Sequence, residues 1–360
     1  MNAMTEKIRV LIVDDSALMR KLLTTVLSAD SEIEVVGSAP DPYVARDQIK
    51  ALNPDVVTLD IEMPHMNGID FLRKIMELRP TPVVMISTLT QAGAEITLEA
   101  LEIGAVDFVA KPGDSEAVLH LGGELIPKIK AAAHARLRLR RRSAAPARPS
   151  VRPSLPGPSD KIIAIGASTG GVEALKALLM ELPADVPPIV ITQHMPERFT
   201  GAFARRLDSE CPMRVCEAEH NQIIEHGKAY IAPGGHHLEI DRRGATLRCV
   251  LNDGPLVSGH RPSVDVLFHS VAKTVAPRAV GVILTGMGRD GADGLLAMRK
   301  AGCPTLGQDE STALVYGMPR VAFEIGAVGR QYPLLGLPEA ILAACAAAKA
   351  SASFAGAGRS

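Results

Sequence analysis

Three side chains in the second half of the chain have the types that acyl transfer requires. Ser168 lies in "IGASTGG", His194 in "ITQHMP" and Asp290 in "LTGMGRDGADGL", each just past an apolar run. A serine hydroxyl is a weak nucleophile at neutral pH. An imidazole can take its proton as general base, and a carboxylate can fix the imidazole tautomer and stabilise its cation. The oxyanion formed at the attacked carbonyl needs backbone N–H donors. Thr169, where a helix begins after Ser168, and Met287, in the "GMG" turn before Asp290, are the candidates by position. A second set lies in the first half: Asp14, Asp15, Asp60, Ser87 and Lys111. Three carboxylates brought together raise one another's pKa unless a cation is present, and a hard divalent cation such as Mg²⁺ answers that with oxygen ligands. With the Lys111 ammonium and the Ser87 hydroxyl they form a receptor for a phosphoryl group built on one carboxylate.

The elements that must position these groups alternate strand and helix on both sides of a central tether. In the first half, "IRVLIVDD", "EIEVVGSA", "PDVVTLDIEMP", "TPVVMIST" and "AVDFVAKP" read as strands, separated by helical patterns such as "SALMRKLLTTVLSA", for which Ser16 is a natural N-cap. In the second half, "KIIAIG", "PPIVITQHM", "MRVCEAE" and "AVGVILTG" read as strands; "GKAYIAPGGHHLEI" with "GATLRCVLN" reads as a hairpin. The expected fold class is therefore α/β, with two doubly wound parallel-sheet domains: a flavodoxin-like one, then a Rossmann-like one carrying a β-hairpin. The expected division is 7–130 for the first domain, 131–159 for a tether, 160–350 for the second domain and 351–360 for a tail. In such sheets functional groups gather beyond the carboxyl ends of the strands, where both residue sets fall.

Rival readings exist for each motif. "GASTGG" is G-x-x-x-G-G, not the G-x-G-x-x-G of a dinucleotide loop. It contains the G-x-S-x-G of a nucleophile elbow, but hydrolases of that fold run Ser, acid, His, whereas this chain runs Ser, His, acid. A glycine-rich turn holding a small serine is the plain structural alternative, and the first-half acids could be exposed loop acids at helix starts. His236 and His237 could ligate a metal, but neighbours on a strand point to opposite faces, so loop histidines near the substrate are the better reading. His220 and His226 read as solvated loop residues, and Ser263 as an N-cap, with substrate contact open for Ser263 and Arg261. Met180, Met195 and Met213 read as core filler.

Composition narrows the classes. The chain has 360 residues, 47% hydrophobic, with a formal net charge of -1, which gives no global reason for a nucleic-acid partner. No apolar run is long enough for a membrane span, and the N-terminus lacks a signal-peptide layout. The five cysteines form no C-x-x-C pair and read as reduced thiols in a cytoplasmic protein. Seven arginines and no acid lie from His134 to Arg152, and the following Pro, Ser and Ala give linker composition.

The first half resembles the receiver domain of two-component response regulators, through Asp14-Asp15, Asp60 in "TLDIEMPHMNG", Ser87 in "MIST", Phe108 in "DFVAKP" and Lys111-Pro112. The resemblance implies that a histidine kinase phosphorylates Asp60, with Mg²⁺ held by Asp14, Asp15, Asp60 and the backbone carbonyl of Glu62. It makes Ser87, Phe108 and Lys111 the residues that respond to the phosphoryl group. A cis Lys111–Pro112 bond is expected, and Gly68 and Gly104 fit positive φ or close backbone approach. The second half resembles the catalytic domain of chemotaxis protein-glutamate methylesterases, through "IGASTGG", "ITQHMP", "YIAPGGHH", "GHRPSVDVLF", "LTGMGRDGADGL" and "ALVYGMP". That implies Ser168, His194 and Asp290 as the triad, Met287 near the oxyanion, and no cofactor for the hydrolysis. The implied substrates are γ-glutamyl methyl esters, and glutamines to be deamidated, on the cytoplasmic helices of chemoreceptors. The fusion suggests control: the unphosphorylated receiver is expected to cover the Ser168 site, and phosphorylation to release it. The alternative is a regulator that binds partners through its receiver, with a silent hydrolase domain.

Overall fold

In the computed structural model of the chain, the described residues are 6–63, 66–88, 90–112, 115–135 and 161–354. They fall into two compact units, Met1–Ser143 and Ala144–Ser360. The first unit alternates β1 (Ile8–Val13), α1 (Ala17–Ser28), β2 (Ile33–Ala39), α2 (Pro42–Leu52), β3 (Val56–Asp60), α3 (Gly68–Leu78), β4 (Val83–Ser87), α4 (Gln91–Ile103), β5 (Asp107–Ala110) and α5 (Ser115–Ala133). Its strands pair in parallel in the order β2-β1-β3-β4-β5. That is the flavodoxin-like order, with its switch point between β1 and β3. β3 and β4 are buried at every position because helices cover both faces, which is why they read as continuous apolar runs. Local signals set the helix starts: the side chains of Ser16, Asp41, Asn67 and Thr90 each accept a backbone N–H at an N-cap.

The second unit holds β6 (Ile162–Ala167), α6 (Gly171–Glu181), β7 (Ile189–Gln193), α7 (Glu197–Glu210), β8 (Arg214–Glu217), β9 (Lys228–Ile231), β10 (His237–Arg243), β11 (Thr246–Asn252), α8 (Val264–Thr274), β12 (Ala279–Ile283), α9 (Ala292–Lys300), β13 (Thr305–Gln308), α10 (Met318–Glu324), β14 (Arg330–Tyr332) and α11 (Leu337–Phe354). Seven strands form a parallel sheet in the order β14-β13-β12-β6-β7-β9-β8. β6 is central: the chain winds outward through β7 to β8 and β9, then crosses back to β12 on the other side. The crevice between β6 and β12 is thus the switch point where doubly wound sheets place ligands.

Several expectations are corrected. "KAYI" does not belong to the hairpin; β9 enters the parallel sheet between β7 and β8, and the hairpin is β10 with β11. β13 and β14 are further strands that no apolar run announced. α5 runs to Ala133 and α11 to Phe354. Most of the tether expected at 131–159, from 136 on, lies outside the described residues, as does the tail from 355. Among the described residues the cis bonds are Arg261–Pro262 and Ala276–Pro277, not Lys111–Pro112. Met195 and Met213 are buried as core, but Met180 is 40% exposed. All five cysteines are free thiols. Among the described residues no helix is long and apolar enough to cross a membrane.

Candidate functional site

The sheet register delivers the three acyl-transfer groups to one place. Ala167 at the end of β6 pairs with Gln193 at the end of β7, so Ser168 and His194 leave the sheet side by side. On the other flank the ladder continues past β12, with Leu284 N–H bonded to Gly166 O and Ser168 N–H to Thr285 O. Behind Ser168 there is no room. A Cβ on Gly286 would stand 2.7 Å from Ser168 Cβ and 2.3 Å from Met318 Sδ. Gln193 locks the other side, its amide donating to the carbonyls of Ser168 at 3.0 Å and His194 at 3.1 Å.

The side chains then form a continuous chain. Ser168 Oγ lies 3.1 Å from His194 Nδ1, and His194 Nε2 lies 2.8 Å from Asp290 Oδ2. An ionised Asp290 accepts the Nε2 proton, which leaves Nδ1 as the acceptor facing the hydroxyl. Asp290 is buried, and burial alone would favour the neutral acid. The hydrogen bond and charge of His194, with hydrogen bonds from Ser263 and the Val264 N–H, outweigh that and hold its pKa at about 2. The donors are Ser263 Oγ at 2.7 Å and Asp265 N–H at 3.1 Å to Oδ1, and Val264 N–H at 2.7 Å to Oδ2. The carboxylate therefore occupies the N-terminus of α8, where the helix dipole favours an anion. Asp265 in turn accepts the Gly294 N–H at 2.7 Å, tying α8 to the start of α9 beyond Asp290.

The remaining sequence candidates sort by contact. Thr169 is buried, its carbonyl accepting from the Thr285 hydroxyl at 3.0 Å. Met287 is half-buried in the turn whose Gly286 abuts Ser168. Ser263 is the N-cap of α8 as expected, and its hydroxyl also reaches Asp290, a link the sequence reading missed. Arg261 is tied to the carbonyls of Asp253 and Gly254. His237 is not a loop residue: it opens β10, is 2% exposed and bridges Pro255 O to the Ser263 N–H, a scaffold for the loop before α8. His236, half-exposed, bonds Asp253 at the start of that loop. His220 and His226 are exposed as expected. His260 was not singled out, yet its ring stacks on His194, with centroids 3.7 Å apart and planes at 14°.

In the first unit, Asp14, Asp15 and Asp60 converge at the carboxyl ends of β1 and β3, each with an oxygen within 4.8 Å of the others. Asp14 and Asp60 are buried and Asp15 is exposed. Lys111 Nζ lies 2.8 Å from Asp60 Oδ2 and 3.3 Å from Asp14 Oδ2. Burial pushes the Asp60 carboxyl up to about 6; Lys111 opposes this and the Asp14 charge adds to it. Asp14 is raised by burial too, against the pull of Lys111. Three carboxylates against one ammonium leave negative charge uncompensated, and all the acidic donors are oxygens, so the residues fit a hard divalent cation. Gly68 is required here: a Cβ would stand 2.0 Å from the Asp60 carbonyl oxygen. Gly104 caps α4 at φ 128, so both glycine expectations hold. Glu62 donates its N–H to Asp60 Oδ1 at 3.3 Å. Ser87 is buried and turned toward α4, where the Thr97 hydroxyl meets it at 2.7 Å. Phe108 is buried beneath Lys128, whose ammonium lies 5.1 Å from the ring centroid and bonds the Phe108 carbonyl.

Comparison with known proteins agrees with both halves. Residues 163–341 match the CheB methylesterase family, and residues 10–121 match the response regulator receiver domain. A protein-glutamate methylesterase/protein-glutamine glutaminase of Caulobacter vibrioides is 61% identical over 337 residues, covering 93% of this chain and 97% of that one. The Escherichia coli protein of the same description is 52% identical over 346 residues, covering 96% and 99%. Among solved structures, the Thermotoga maritima CheB methylesterase catalytic domain is 36% identical with a TM-score of 0.50, covering 51% of this chain and 97% of its own.

Proposed function

The chain belongs to the CheB methylesterase family, with a response regulator receiver domain ahead of the catalytic one, and from that premise we propose that it is a phosphorylation-activated serine hydrolase of chemotaxis adaptation. Its substrates are glutamate γ-methyl esters on the cytoplasmic helices of chemoreceptors, and receptor glutamines that it deamidates. The observation that carries this reading is the unbroken chain from Ser168 Oγ through His194 to Asp290, at 3.1 and 2.8 Å. Ser168 attacks the ester carbonyl while His194 Nδ1 takes the hydroxyl proton. Asp290 stabilises the resulting imidazolium and keeps Nε2 protonated. Backbone N–H groups of Thr169 and Met287 receive the oxyanion. His194 returns its proton to the departing methoxide, releasing methanol. It then activates a water that frees Ser168 and leaves a glutamate. With a glutamine the leaving group is ammonia and the steps are the same. No cofactor enters this chemistry.

The receiver, 7–130, controls the catalytic domain, 160–350, through the tether between them, with 351–360 as a tail. Asp60 accepts a phosphoryl group from the histidine kinase of a chemosensory pathway. Asp14, Asp15, Asp60 and the Glu62 carbonyl would hold Mg²⁺, which would supply the positive charge that transfer to a carboxylate requires. Lys111 stands against Asp60 to pair with the phosphoryl oxygens. Ser87 turns toward them, Phe108 follows, and the face of β4 and β5 changes. The protein acts in the cytoplasm. A silent hydrolase domain would not need a buried carboxylate held by three donors against the imidazole that faces Ser168.

The test is methanol release from methylated receptor membranes. Ser168→Ala abolishes it. A small phosphodonor with Mg²⁺ raises it in the wild-type chain and not in Asp60→Asn. Release that survives Ser168→Ala would overturn the enzyme reading, and an equal rise in Asp60→Asn would overturn the switch.

A further inference from the structure

We propose that His260 is a positioning residue for the hydrolysis: its ring lies flat on His194 and fixes the plane in which that imidazole meets Ser168 and Asp290. The inference rests on the ester-hydrolysis reading above. The two hydrogen bonds of His194 hold it at its two nitrogens, one to Ser168 and one to Asp290. Two such anchors do little to resist a tilt of the ring about the axis through them. A face contact does, and the His260 ring supplies one at a centroid distance of 3.7 Å and an angle of 14°. The same contact keeps water off that face of the imidazole. When His194 takes the serine proton, the π-face of the His260 ring lies against the new cation and stabilises it. That stabilisation exists only as charge develops, so it belongs to kcat more than to KM.

The placement is built by its loop. Val257 and His260 exchange backbone hydrogen bonds at 3.1 and 2.9 Å around Ser258 and Gly259, at φ 53 and 80. Two left-handed residues in a row make the tight primed turn of a hairpin, and Ser258 adopts that conformation without being glycine. Arg261 holds the loop at Asp253 and Gly254, and His237 holds it at Pro255. Three residues past His260, Ser263 bonds the triad carboxylate. One short segment therefore touches both the imidazole and its acid.

The experiment uses the full-length chain with a small phosphodonor and Mg²⁺, following methanol release from methylated receptor membranes. His260→Ala lowers kcat by about tenfold and leaves KM within about twofold, as expected for losing an aromatic pair and the alignment it fixes. His260→Phe restores kcat to within about threefold, since it keeps a flat face, whereas His260→Leu, which fills volume without one, does not. The low-field proton resonance of the His194 Nε2–H is kept with Phe and lost to exchange with Ala. Wild-type kcat in His260→Ala, or rescue by Leu equal to that by Phe, would overturn the proposal. Ser168→Ala is measured alongside: if it is inactive while His260→Ala is fully active, only this inference fails, and if it keeps its activity the hydrolysis reading itself fails.

Discussion

Asp290→Asn isolates what the buried carboxylate does, because it changes charge and proton inventory while keeping shape. The carboxylate receives four donors, two on each oxygen: His194 Nε2 and Val264 N–H on Oδ2, Ser263 Oγ and Asp265 N–H on Oδ1. An amide has one accepting oxygen and one donating NH2. With its oxygen toward His194, the NH2 faces the Asp265 N–H, and two donors collide. With the amide reversed, the NH2 faces His194 Nε2 and forces the proton onto Nδ1, where it blocks uptake of the Ser168 proton. Either way the site loses, and the expected fall in kcat is about 10⁴-fold, the size seen when a triad acid is made neutral. Stability falls too. A pKa of about 2 against an ordinary 3.8 corresponds to about 2 kcal/mol, present at neutral pH. The sign follows from the depressed pKa: the contribution is complete above about pH 4 and is lost as pH falls toward 2, so wild type and variant converge in acid. Urea unfolding at pH 7 and pH 3, with methanol release at pH 7, checks both parts. A variant within about tenfold of wild-type kcat would refute the assigned role of the acid.

Other perturbations give equally direct readouts. Asp60→Asn stabilises the receiver in the absence of divalent cations, because burial raises the Asp60 pKa to about 6 and its ionised form is costly in the folded state. The gain is complete above about pH 6, up to about 3 kcal/mol, and vanishes below about pH 4, as thermal melts across that range would record. Thr97→Val removes the hydroxyl that meets Ser87 at 2.7 Å. Losing one hydrogen bond of about 1 kcal/mol shifts the Ser87 equilibrium about fivefold toward the phosphoryl side, read as higher methanol release without a phosphodonor. Gly286→Ala puts a methyl 2.7 Å from Ser168 Cβ. The forced displacement of the nucleophile lowers kcat about 100-fold with the fold retained, measured by release rate beside a circular dichroism spectrum.

The candidate side chains were legible because each ends an apolar run, and parallel topology alone brings such ends to one sheet edge. Asp60 at the end of "VVTLD", Ser168 after "IIAIGA" and His194 after "IVITQ" need no more than strand recognition to be grouped. What supports them was not legible. Ser263 lies 27 residues from Asp290, and His260 meets His194 through a loop whose path follows from backbone conformation at Ser258 and Gly259. Thr97 looks like any helix residue until α4 is packed on β4. β9 was misassigned because a four-residue strand carries little periodicity, and its partners β7 and β8 come from elsewhere in the chain. β13 and β14, of four and three residues, fail for the same reason.

The crossing from the β8 edge back to β12 has a consequence for biosynthesis. The acid follows the imidazole by 96 residues, and β12 cannot take its place beside β6 until that stretch has left the ribosome. A nascent polypeptide thus displays its serine and histidine before the carboxylate that pairs with the imidazole has been made.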